Sequence, residues 1–152
     1  MKKTVWGFFL LLLFGLSYSR EVLFLSINSI ISGETTFYAR TIKIPWLLQQ
    51  PVDFLVHLKF ILTITYSLLF ALTTIFGLKF SFKEKLPLRL SLFTYSTLFT
   101  IAGLALIIVY LTNSFNNAYP YFRHVIEYLH TPLIFLFLSV SNFVIRNTRN
   151  EH

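Results

Sequence analysis

The stretch Tyr121-Phe-Arg-His-Val-Ile-Glu-Tyr-Leu-His-Thr-Pro132 runs directly into the apolar run Leu133–Ile145 and stops at Arg146. A helix counted back from Arg146 at about 1.5 Å per residue crosses a hydrocarbon layer of roughly 30 Å in about 20 residues. The outer boundary then falls near Ile126. Arg123 and His124 sit at the interface, Glu127 just inside it, and His130 about one turn deeper. At about 100° per residue Arg123, Glu127 and His130 share one helical face, with His124 turned away. Ionisable groups inside a span are costly and normally point at a protein interior or a partner, and here only His130 is clearly inside. Pro132 removes a backbone hydrogen bond and frees the carbonyl of Tyr128, which predicts a kink just below His130.

The rest of the chain is organised the same way. Its 152 residues are 55% hydrophobic and 18% aromatic with only 12% charged, and their mean hydropathy is +0.68. That places it in a membrane. The net charge of +7 does not point to nucleic acid, because the basic residues lie at the ends of apolar runs and not on one surface. Cysteine is absent, which excludes disulfides, thiolate metal ligands and thiol nucleophiles. No zinc signature, P-loop, dinucleotide-binding glycine motif or serine elbow occurs, so no metal and no cofactor is expected.

The sequence predicts an all-α, polytopic membrane protein with four transmembrane helices over about residues 5–25, 57–78, 90–111 and 124–145. The first run, Val5–Leu16, fades through Ser17-Tyr18-Ser19 into Arg20-Glu21. It reads either as a signal peptide cut after Ser19 or as a retained helix from which Arg20 snorkels outward. An outer loop over about 28–53 follows, with a turn at Ser32-Gly33 and an interfacial element around Trp46. The second span carries the hydroxyls of Thr63, Tyr66, Ser67, Thr73 and Thr74. The third carries a small-residue strip of Ser96, Thr100 and Gly103.

Lys2, Lys3, Lys79, Lys83, Lys85, Arg89, Arg146 and Arg149 fall on one side of this arrangement. The loop after the third span has no basic residue, so both termini are expected to be cytoplasmic. On the opposite side a polar cluster gathers Arg20 and Glu21 from the first span, His57 and Lys59 from the second, and Arg123, His124, Glu127 and His130 from the fourth. Arg20 and Glu127 come out at similar depth and are expected to pair. Such a cluster serves contact with another membrane protein. The alternatives are a small enzyme acting on a lipid or peptide group at the outer leaflet through His130, Glu127 and Arg123, and a subunit of an oligomeric transporter.

Four spans in this length, Arg20-Glu21 closing the first span, an aromatic outer loop bearing prolines, and Tyr121-x-Arg123 followed by His130-x-Pro132-Leu133 resemble the small exosortase-associated membrane proteins of Bacteroidetes-type bacteria, of the exosortase F- or X-system-associated type. The resemblance implies a non-catalytic companion of an exosortase, the membrane transpeptidase of a protein-sorting system, in the bacterial inner membrane. Its partners would be the lipid bilayer and that integral membrane protein. An exosortase uses a cysteine nucleophile, which this chain lacks.

Overall fold

The computed structural model describes residues 2–33, 42, 44–82, 86–112 and 126–150. Every element among them is helical. Helix α1 spans Lys3–Ser32, α2 Pro45–Leu48, α3 Val52–Ser81, α4 Leu86–Thr112 and α5 Leu133–Asn150. Three segments, Lys3–Ser32, Val52–Ser81 and Leu86–Ala105, are long and apolar enough to cross a membrane, whereas the apolar part of α5, Leu133–Ile145, is shorter. Large apolar side chains project from the bundle, among them Leu11, Phe93 and Phe137, each more than 70% exposed. Their exposure suits a hydrocarbon solvent and would be an aggregation liability in water.

Helix α3 is the axis, packing against α1, α4 and α5. A backbone bond from the Lys2 amide to the Ser81 carbonyl, 2.9 Å, ties the start of α1 to the end of α3, so the two helices run antiparallel. Lys2 and Lys3 are thereby brought to the end of the bundle that carries Lys79 and, near the start of α4, Arg89. At this end Leu13 of α1, Phe70 and Leu78 of α3, Phe82, and Phe135 and Leu138 of α5 form the main core. Trp6 stacks on Phe135 at 6.0 Å and donates its indole N–H to Ser139 Oγ at 3.0 Å. Gly77 makes the packing possible: a Cβ there would lie 2.9 Å from Phe135 Cε2 and 3.0 Å from Phe9 Cβ.

Both long helices outrun their predicted spans. Helix α1 continues to Ser32 and closes on Gly33, whose φ of 67° is the left-handed cap that its amide bond to the Ile30 carbonyl requires. The predicted outer loop over 28–53 therefore contributes residues to α1, α2 and α3. Side-chain bonds support these polar helix ends: Lys59 Nζ donates to Asn28 Oδ1 at 2.7 Å, and the Ile42 amide donates to Ser26 Oγ at 3.0 Å. Leu47 of α2 completes a second core with Ile27 and Leu55.

Helix α4 joins through Tyr95, whose hydroxyl donates to Thr74 Oγ1 at 3.0 Å. Interhelical bonds of this kind contribute on average about 0.6 kcal/mol and up to about 1.7 kcal/mol in double-mutant cycles. A cycle of Tyr95→Phe and Thr74→Val, followed by unfolding in mixed micelles, is expected to give a coupling in that range. Strict additivity would show that the bond is dispensable. Among the described residues the strip of Ser96, Thr100 and Gly103 makes no close helix contact: Ser96 and Thr100 are exposed, and a Cβ on Gly103 would meet nothing within 4 Å.

The fourth apolar stretch departs most from a continuous helix. A helical turn over residues 126–129 ends at His130, the chain bends through Thr131 and Pro132, and α5 starts at Leu133. Pro132 has no N–H for the Tyr128 carbonyl, which instead accepts from the Thr131 amide at 3.3 Å and from Thr131 Oγ1 at 2.9 Å. The expected kink is a full break, because Thr131 folds back onto the freed carbonyl.

Candidate functional site

His130 is the best-defined polar residue of the predicted cluster, and the break determines where it lies. Its ring meets the middle of α3, with Nε2 2.7 Å from Ser67 Oγ and the ring centroid 5.6 Å from that of Phe70. Ser67 is eight residues from Lys59 and twelve from Lys79. At the helical rise these are about 12 Å and about 18 Å along the axis. His130 therefore lies near mid-bundle, deeper than a helix counted unbroken from Arg146 places it. Only 1% of the residue is exposed.

The hydroxyl of Ser67 assigns the tautomer. It has one proton and two neighbours, the Thr63 carbonyl at 2.8 Å and His130 Nε2 at 2.7 Å. A carbonyl can only accept, so the Ser67 proton goes to Thr63 and Nε2–H donates to Ser67 Oγ. His130 Nδ1 is then a bare lone pair, buried and without a hydrogen-bond partner. The opposite tautomer would bury an N–H with no acceptor, the costlier arrangement.

The other predicted residues fall into three groups. Arg20 lies on α1 with Cζ 5.2 Å from the centre of the Phe24 ring, and close enough to His130 for its charge to act there. Glu127, half-buried in the helical turn, stands one turn before His130, and Glu21 is exposed beside Arg20 on α1. Pro132 is buried at the break. Trp46 is a separate feature on α2, 54% exposed and edge-on to Phe54 at 5.9 Å. Arg123 and His124 lie outside the described residues. His57 caps locally, its Nδ1 2.7 Å from the Asp53 carbonyl, and Lys59 is engaged by Asn28.

Sequence reasoning missed Ser67 as the partner of His130 and Ser139 as the partner of Trp6. Among the described residues no three His, Asp or Glu side chains come together as a metal-binding set.

A helical bundle with three helices long and apolar enough to cross a membrane, girdled by exposed apolar side chains and with several buried polar groups joined across helices, has the architecture of a membrane protein. No protein-family model, no curated protein and no solved structure matches the chain.

Proposed function

We propose that the chain is a non-catalytic accessory protein of the bacterial inner membrane that binds and supports another integral membrane protein, an exosortase-type transpeptidase. In this reading it crosses the bilayer four times with both termini in the cytoplasm. The fourth crossing is the broken pair of the 126–129 turn and α5. The first helix is retained in the mature protein, because Trp6, Phe9 and Leu13 contribute to the main core. The basic end of the α1–α3 hairpin faces the cytoplasm. Arg20, Glu21 and Glu127 lie toward the extracytoplasmic half, where Arg123 and His124 would join them as the contact surface.

The observation that carries the non-catalytic reading is the burial of His130. A general acid or base needs access to the proton it moves, and this imidazole is enclosed by protein with Nε2 bound to Ser67. The choice of an exosortase rests on the resemblance of Tyr121-x-Arg123, His130-x-Pro132-Leu133 and the span layout.

Affinity purification of the tagged chain from native membranes is expected to bring down a cysteine-dependent transpeptidase in near-stoichiometric amount. His130→Ala is expected to leave sorting by that partner intact wherever the variant accumulates to normal levels. Turnover of a lipid or peptide substrate by the isolated protein, abolished in His130→Ala, would establish the enzymatic alternative instead.

A further inference from the structure

We infer that α1 is the contact between two copies of this chain. Their first helices pair side by side along Leu11, Phe14, Tyr18, Glu21 and Leu25, and the Tyr18 hydroxyl of each copy donates to the Glu21 carboxyl of the other. The inference goes beyond the accessory role and needs no particular partner, because it gives Glu21 to a second copy and leaves Glu127 to the other membrane protein.

Helix α1 lies at the edge of the bundle. It packs chiefly on α3, and its most apolar stretch is 11% buried, against 39% for that of α3. Leu11, Phe14, Tyr18, Glu21 and Leu25 follow one another in steps of three and four, which at about 100° per residue keeps them within an arc of about 80°. Leu11, Phe14 and Tyr18 are 73%, 52% and 63% exposed, Glu21 is exposed and Leu25 half-buried, so this seam is open along its length. Such spacing is the one by which two helices interlock in a left-handed pair.

Lipid covers Leu11 and Phe14 adequately, but its acyl chains offer nothing to Tyr18 and Glu21. Ser19, between them in sequence, has its hydroxyl 3.1 Å from that of Tyr66, and Tyr66 is seven residues from Lys59 and thirteen from Lys79. At the helical rise these are about 10 Å and about 20 Å, together the roughly 30 Å of a hydrocarbon layer. Tyr18 and Glu21 therefore reach the outside of the bundle well within that layer. Among the described residues the Tyr18 hydroxyl makes no hydrogen bond. Glu21 interacts within the chain and still stays exposed, and a carboxylate has about four acceptor positions to fill. Polar groups at such depth normally face protein.

A second copy supplies the complement. Copies inserted the same way round meet with their α1 helices parallel across a two-fold axis, where every contact occurs twice. A side chain on the seam enters a hole lined by four residues of the facing helix, and for Tyr18 these are Phe14, Ser17, Tyr18 and Glu21 of the second copy. The phenol, which donates, thus meets a carboxyl, which accepts, and the same bond forms again with the copies exchanged. The two Glu21 side chains face each other in the next layer. Their repulsion opposes the pairing, and the two phenol donors offset it.

The absence of cysteine makes the test direct. A disulfide needs Cα atoms within about 7 Å, so single cysteines oxidised by copper phenanthroline in native membranes report which face two copies share. Leu11→Cys and Phe14→Cys, on the seam, are expected to give a product of twice the chain's mass. Leu12→Cys, also exposed at 40% but more than a quarter-turn off the seam, should give little. In the Leu11→Cys background Tyr18→Phe removes both phenol donors and should weaken pairing roughly tenfold, read from the cross-linked fraction in liposomes of increasing lipid-to-protein ratio. Glu21→Gln keeps an acceptor and loses the repulsion, so its cross-linked fraction should equal or exceed the parent's. Equal cross-linking at Leu12 and Leu11, seam products of any mass other than twice the chain, or an unaltered fraction in Tyr18→Phe would each overturn the pairing.

Discussion

Gly77→Leu is expected to detach α5 from the α1–α3 hairpin. Even a methyl at this position would stand 2.9 Å from the Phe135 ring and 3.0 Å from Phe9 Cβ, and the second of these contacts is with an atom fixed directly to the backbone. Phe135 could rotate, but its face is held by Trp6, and Trp6 is in turn bonded to Ser139. Overpacking of such a site typically costs about 1–3 kcal/mol, so Gly77→Ala should fall inside that range and Gly77→Leu at or above its upper end. Unfolding in mixed micelles gives the free energy, and emission from Trp6 in a Trp46→Phe background reports whether the indole has left Phe135. An unchanged unfolding midpoint for the leucine variant would mean that α1, α3 and α5 do not meet closely at Gly77.

A second large effect is expected on orientation. The bond between the Lys2 amide and Ser81 collects Lys2, Lys3, Lys79 and Arg89 at one end of the bundle, and Lys83 and Lys85 belong to the same short connection in sequence. Basic residues close to helix ends determine which side stays in the cytoplasm. A periplasm-dependent phosphatase fused after His152 should be silent in the parent chain. Substituting these six residues by Gln leaves Arg146 and Arg149 opposed by Arg40, Lys43 and Arg123, and the fused enzyme should become active in at least about half of the molecules. Activity in the parent itself would place the carboxyl terminus outside and remove the proposed topology.

The apolar runs of α1, α3 and α4 were legible because a hydrocarbon layer demands unbroken stretches of this length, and the chain marks several of their ends with charge. Their polar extensions were not. Asn28 and Asp53 suggest a loop when read alone, yet both are helical: Lys59 reaches Asn28 across the α1–α3 pair, and the Asp53 carbonyl accepts from His57 Nδ1 within its own turn. The fourth stretch shows the same limit more sharply. Pro132 announced a distortion, but its extent depends on how Thr131 satisfies Tyr128, and the depth of His130 depends on contact with Ser67.

Of the candidate site, His130 itself could be singled out because a histidine inside an apolar run needs a reason to be there. Its partner could not. Thr63 and Ser67 both donate to carbonyls four residues back along α3, so the sequence offers nothing that marks the second as the one facing a neighbour. The Trp6–Ser139 bond, between residues 133 positions apart, is equally a product of tertiary packing.

The brevity of Leu133–Ile145 bears on how the protein is made. At about 1.5 Å per residue it reaches only about 20 Å, short of the roughly 30 Å that a self-sufficient membrane helix covers. A nascent chain would have to thread this segment against a hairpin already in place, with Gly77 and Leu13 presenting a ready groove. Biogenesis then has an order: the amino-terminal half is the template on which the carboxyl-terminal half settles, and a lesion in the groove would surface as failed insertion of a helix far downstream.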